Sequence, residues 1–215
     1  MVTVRTQVRG CVVVLPGGRV HSDRPSRPWQ LANVRMMLLA STLRRRLGPQ
    51  VEVRRLRYRL RGWNDPRRDP LRDAEKLLDE VRGRFEPRDI AVVGHSMGGR
   101  VAAHLAARGV VGTVVALAPW WVGDDGDLIP AGTRLLVVHG TADTWTDPRR
   151  SRAQTERARL RGVDAEWVGL EGADHFMLRR WRDWHRLPAE FVANQLVGAN
   201  RTAVRRSPNS SGEKG

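Results

Sequence analysis

One serine in this 215-residue chain stands where a nucleophile can be made. Gly94-His95-Ser96-Met97-Gly98 separates two runs of different character. Ile90-Ala91-Val92-Val93 reads as a short strand, and Gly99-Arg100-Val101-Ala102-Ala103-His104-Leu105 as an alanine-rich helix. A strand that turns directly into a helix through Gly-x-Ser-x-Gly holds its serine hydroxyl proud of the sheet. Gly94 and Gly98 are required because a Cβ at either place would collide within so tight a turn. The amide of Met97 then opens a helix and faces any negative charge that develops beside the hydroxyl. The chemistry implied is attack on a carbonyl carbon, with the oxyanion held by backbone amides.

A serine in that position needs a sheet behind it and further strand ends beside it. Strand-like runs are expected at residues 8–15, 51–56, 89–93, 110–118, 133–139 and 165–170. Helical runs are expected at 31–47, 70–85, 97–108, 148–161 and 187–197. Strands separated by helices of ten or more residues pair in parallel through right-handed crossovers. The expected fold class is therefore α/β, a three-layer sandwich on a mostly parallel sheet. Nothing repeats and no linker divides the chain. Residues 1–198 are expected to form one catalytic domain, followed by a disordered, basic tail over 199–215.

The formal net charge of +15 comes almost wholly from arginine, since Lys76 and Lys214 are the only lysines. The basic residues lack the aromatic interleaving of RNA-binding sheets and any recognition-helix motif, so no nucleic-acid partner is expected. No run approaches the roughly 18 apolar residues of a membrane span, and residues 1–10 carry no apolar signal core. The single cysteine, Cys11, cannot form an internal disulfide and begins an apolar run. These features fit a cytoplasmic protein with no membrane partner. No His-x-x-x-His, Cys-x-x-Cys or Gly-x-Gly-x-x-Gly is placed to bind a metal or a dinucleotide, so no metal and no cofactor is expected.

Gly94-His95-Ser96-Met97-Gly98-Gly99, set between strand and helix, resembles the nucleophile turn of the α/β-hydrolase superfamily. The resemblance extends from about Val8 to Val197. It implies that His139-Gly140-Thr141-Ala142-Asp143 supplies the acid, Asp143, and that Gly172-Ala173-Asp174-His175 supplies the base, His175. The order Ser96, Asp143, His175 is the one this superfamily uses. Asp124, Asp125 and Asp127 stand where some of its lipases keep their acid, but Asp143 is preferred. Asp147 suits the role of cap for the helix near Pro148. His95 and His139 fall at positions that the superfamily fills with structural residues, and His104 is expected to pack. The second oxyanion donor would come from the loop after the first strand. Pro16 has no N–H, so Gly17, Gly18 and Arg19 remain, with Gly18 preferred.

The superfamily sheet opens with an antiparallel hairpin, for which this chain has little room. The strand at 51–56 should then lie at or near an edge. Arg54, Arg55, Arg57, Arg59 and Arg61 would guard that edge, or else form a phosphate-binding patch. Only residues 122–132 separate two strands where relatives insert a lid, so an open, shallow site is expected. Trp29, Trp63, Trp120, Trp121 and Trp145 follow strand ends, with Phe176 beside His175, and are expected to build an apolar or aromatic pocket. Arg19, Arg24 and Arg27 would hold a substrate carboxylate or phosphate, or else be solvated. The activity implied is that of a serine hydrolase acting on a small-molecule ester or thioester. The alternatives are a silent binding module with this fold, or a peptide or carbon–carbon bond hydrolase using the same three residues.

Overall fold

β1 (Gly10–Leu15) is buried along its whole length, as a near-continuous apolar strand must be when helices cover both faces of its sheet. The computed structural model describes residues 7–198. Five further strands follow: β2 (Val51–Arg55), β3 (Ile90–His95), β4 (Thr113–Leu117), β5 (Arg134–Gly140) and β6 (Asp164–Leu170). They lie in the order β2-β1-β3-β4-β5-β6, with every pairing parallel.

Alternate side chains of each strand serve opposite layers. Cys11, Val13 and Leu15 join Val92, Ala116 and Val137 under α2 (Asp69–Arg82), α3 (Met97–Ala106) and α4 (Pro148–Leu160). Val12 and Val14 join Val93, Val115 and Val138 under α1 (Leu31–Leu47) and α5 (Trp181–Ala193). The expected α/β-hydrolase sandwich of three layers is the one observed. The Cys11 thiol, fully buried in the first of these cores, is pushed up to about 12 by that burial, with the Glu52 charge adding to it. It is packing, not chemistry.

β2 is an edge strand, and no antiparallel strand precedes β1 among the described residues. The tail at 199–215 lies outside those residues. The arginines of this edge are used in a way neither expectation covered. Arg55 and Arg57 donate to the carbonyls of Asn33 and Ser26, at 3.2 and 2.8 Å. They fasten the first turn of α1 and the segment before it to the edge of the sheet. That segment is further tied to residues 59–64 by Ser26 N–H to Arg59 O, Gly62 N–H to Ser22 O and Trp63 N–H to Arg19 O.

α5 begins six residues before the expected start. Leu187-Pro188 resembles a helix opening because proline is favoured in a first turn. Here Pro188 lies inside the helix, and Trp184, Pro188, Ala189 and Val192 form its buried stripe. Burial of that stripe outweighs the hydrogen bond that the proline removes. Among the described residues no helix is long and apolar enough to cross a membrane.

The chain leaves β1 towards one edge and returns through β3 on the other side of it. The strand order therefore reverses between β1 and β3, the place where open α/β sheets bind ligands at their carboxyl ends. Ser96 directly follows β3.

Candidate active site

Ser96 has φ 55° and ψ −115°, a left-handed conformation that is costly for a residue with a side chain. Hydrogen bonds on both sides impose it. Its N–H donates to Leu117 O at 2.9 Å, and its carbonyl accepts from the amides of Gly99, Arg100 and Trp120 at 3.0, 3.3 and 3.0 Å. A Cβ on Gly94 would overlap the carbonyl of Gly98, and one on Gly98 would stand 2.5 Å from Leu15 O. Both glycines are thus fixed by close backbone approach.

β5 ends in Gly140, and Asp143 lies in the turn beyond it. β6 ends in Leu170, and the next loop carries His175 back to that turn. Asp143 Oδ2 accepts from His175 Nδ1 at 2.7 Å. The same oxygen accepts from His139 Nε2 at 3.1 Å and Thr146 Oγ1 at 2.8 Å, while Oδ1 accepts from the amides of Trp145 and Thr146 at 2.7 and 3.0 Å. Burial alone would raise the pKa of Asp143. The hydrogen bonds from His139, His175 and the Thr146 amide outweigh it and hold the carboxyl far below the usual carboxylate range. An ionised Asp143 fixes the proton of His175 on Nδ1 and leaves Nε2 as the free base.

Ser96 is half-buried and lines the same cavities as His175. Its hydroxyl makes no hydrogen bond within 3.5 Å among the described residues, to His175 or to any other group. Such contacts are often long in unliganded sites and tighten once substrate is bound.

Two histidines that read as structural have defined places here. His139 is fully buried, with Nε2 on Asp143 and Nδ1 2.8 Å from Ser151 Oγ, which also accepts from Trp167 Nε1 at 3.0 Å. It is a second imidazole on the acid, and the sequence signal was its place in the His-Gly-x-x-Asp segment. His95 Nε2 donates to the carbonyl of His175 at 3.1 Å and so anchors the backbone of that loop. Burial, with the charges of His175 and Arg35, pushes His95 well below the ordinary imidazole value of 6.5.

A histidine that stays neutral when folded binds its proton more readily when unfolded. Its contribution to stability is present above pH 6.5 and lost as pH falls below it, at up to about 1.4 kcal/mol per pH unit. His95→Gln keeps an N–H donor without a titrating group. Its melting temperature should fall less than that of the wild type between pH 7.5 and pH 5.5. Identical slopes for the two proteins would show that His95 is not the group responsible.

The amide of Met97 heads α3 and has no hydrogen-bond acceptor among the described residues. The amide of Arg19 is engaged, donating to Arg61 O at 2.8 Å, which removes it from the candidates for a second oxyanion donor. Gly17 and Gly18 remain, their amides unpartnered among the described residues, and both line the cavity over Ser96.

Two cavities meet at Ser96 and His175. One, of about 270 Å³, reaches towards α1 and contains Arg35, Tyr58 and Phe176. The other, of about 370 Å³, contains His21, Met97, Trp120 and Thr146. Trp145 belongs to both, stands 71 % exposed, and stacks on the His175 ring at 5.4 Å and 16°. Of the six aromatic residues expected to form a pocket, Trp120, Trp145 and Phe176 line these cavities. Trp63 and Trp121 do not. Trp63 is fully buried under the Arg100 guanidinium, and the indole N–H of Trp121 donates to Gly99 O at 3.2 Å within the core. Trp29 is 73 % exposed and lies outside both cavities, beside Arg27.

The other aspartates are committed elsewhere. Asp125 pairs with Arg100 and His104, Asp124 with Arg157, and Asp127 with Arg157 and Arg161. Asp147 caps α4, accepting from the Arg149 amide. Arg19 lines both cavities, whereas Arg24 and Arg27 line neither.

The model of the family described as "Alpha/beta hydrolase family" matches residues 12–210. No curated protein matches the sequence. Among solved structures, a putative alpha/beta hydrolase of unknown function from Agrobacterium tumefaciens is 19% identical, with TM-score 0.70, over 89% of this chain and 88% of that one. An alpha-beta serine hydrolase homologue from Coxiella burnetii is 18% identical, with TM-score 0.65, over 87% and 86%. Est1E from Butyrivibrio proteoclasticus, in a structure with ferulic acid bound, is 15% identical, with TM-score 0.66, over 90% and 92%. At such identities the likeness is one of fold. The family model spans most of the chain, and this protein belongs to the alpha/beta hydrolase family.

Proposed function

We propose that this protein is a serine hydrolase that cleaves a small ester or thioester through an acyl-enzyme on Ser96. The observation that carries the reading is the 2.7 Å bond from His175 Nδ1 to Asp143, with Ser96 in the cavities that His175 lines. His175 Nε2 takes the hydroxyl proton as Ser96 Oγ bonds to the substrate carbonyl carbon. The oxyanion is held by the Met97 amide and by that of Gly17 or Gly18. His175 then gives the proton to the departing alcohol or thiol. Water attacks the acyl-enzyme with His175 again as base, which returns Ser96 to its starting form. Trp120, Trp145 and Phe176 supply apolar contact for the substrate. The single, buried cysteine suits a reducing, cytoplasmic setting.

A silent binding module with the same fold is the second reading, favoured by the absent Ser96–His175 hydrogen bond. A fluorophosphonate probe separates the two. The hydrolase should be labelled covalently at Ser96, with the adduct located by peptide mass spectrometry, and should cleave 4-nitrophenyl esters. No labelling at Ser96 and no turnover would favour the binding module.

A further inference from the structure

The cavity on the α1 side of Ser96 carries an unusual charge. Arg19, Arg35 and Arg61 line it, and among the described residues no aspartate or glutamate does. Arg35 is the one set deepest, at 7 % exposed. Its guanidinium lies over two aromatic rings, 4.5 Å from the Trp184 ring centroid and 5.6 Å from that of Phe176. One terminal nitrogen donates to the carbonyl of Phe176. Nε is buried with no acceptor, and no carboxylate lies within ion-pair distance of the group among the described residues. Burial lowers the Arg35 pKa to about 10, and the charge of the exposed Asp174, which acts to raise it, does not offset that.

A buried guanidinium without a counter-ion is costly, and an anion brought into the cavity would offset that cost. A second orphan lies on the same cavity. The Tyr58 hydroxyl is buried and has no hydrogen-bond partner among the described residues, although Tyr58 lines this space. The lining is otherwise largely apolar, with Leu31, Ala32, Trp145 and Phe176. An apolar trough with a fixed, planar cation at its inner wall fits a short chain that ends in a carboxylate.

We infer that Arg35 is a specificity-determining residue, and that the substrate is an ester or thioester carrying a carboxylate which the Arg35 guanidinium receives while Ser96 attacks the ester carbonyl. The inference rests on the serine-hydrolase reading for the reaction, but the anion site itself is tested separately from turnover. Arg19 and Arg61, whose guanidinium groups make no ion pair among the described residues, add to the positive field at the mouth of the cavity.

The decisive pair of substrates is 4-nitrophenyl hydrogen glutarate and 4-nitrophenyl pentanoate, which share a five-carbon acyl chain and differ in a terminal carboxylate or methyl. The wild type should prefer the glutarate ester by about tenfold or more in kcat/KM, and the preference should shrink as salt is raised. In Arg35→Met the ratio should fall at least fivefold, with Arg35→Lys recovering part of it. Binding is read in Ser96→Ala by titrating monomethyl glutarate and following tryptophan emission, because Trp184 lies against Arg35. Saturable quenching or enhancement is expected, and methyl pentanoate should not reproduce it.

Equal or better use of the pentanoate ester by the wild type would overturn the inference, as would a preference that survives in folded Arg35→Met. If neither ester is cleaved and Ser96 takes no fluorophosphonate, the hydrolase reading has failed. The anion site then stands if monomethyl glutarate binds the wild type and falls if it does not.

Discussion

Ser96→Ala is expected to lower ester turnover by about ten-thousand-fold or more, and to abolish fluorophosphonate labelling, while leaving the fold intact. The two halves of that expectation have separate origins. The hydroxyl is the atom that would form the acyl bond, so its removal leaves only the binding and oxyanion contributions. The same hydroxyl makes no hydrogen bond among the described residues, so its loss strands no partner. Backbone bonds alone hold the turn in its left-handed conformation. Melting of Ser96→Ala should therefore lie within about 0.5 kcal/mol of the wild type. Residual turnover above one tenth of the wild-type rate, in protein free of contaminating esterase, would show that another group attacks the ester.

Asp143→Asn should cost both activity and stability. The carboxylate accepts five hydrogen bonds, from His139, His175, Thr146 Oγ1 and the amides of Trp145 and Thr146. An asparagine oxygen can keep the two amides. Its NH2 group then faces three donors and can accept from none of them. His175 loses the partner that places its proton on Nδ1, and a ring with the proton on Nε2 cannot take one from Ser96. A loss of about 10³- to 10⁴-fold in kcat is expected on this ground. Breaking a buried charged cluster should lower stability by about 3 kcal/mol, read by urea denaturation. Asp125→Asn, which disturbs the cluster of Arg100 and His104, serves as the comparison. Should Asp125→Asn depress turnover as deeply as Asp143→Asn, the assignment of the acid would be wrong.

That Ser96, Asp143 and His175 meet at one rim is legible because each follows the carboxyl end of a strand within a short, position-specific segment. Parallel topology then brings those ends to one rim whatever the details of packing. The aromatic pocket was legible only by half. Following a strand end places a residue on the rim, but not whether its ring turns outward to the cavity, as at Trp120, or down into the core, as at Trp63 and Trp121. That choice depends on what fills the space beneath, which no local pattern records. Arg35 was missed although its signal was present. It precedes Leu39 and Leu43 at helical intervals of four, so it lies on the stripe that α1 buries against the sheet. A cation on an apolar stripe calls for a reason. The start of α5 was misplaced because proline has two readings, as a helix opener or as a tolerated interior residue, and packing of Trp184 decided between them.

The guanidinium groups of Arg55 and Arg57 reach from the outer margin of the sheet to the carbonyls of Asn33 and Ser26, and both of those residues also border the trough beside Ser96. The edge of the sheet and the wall of the trough are therefore joined by the same two side chains. Displacing these arginines would loosen the wall of the trough along with the margin of the sheet.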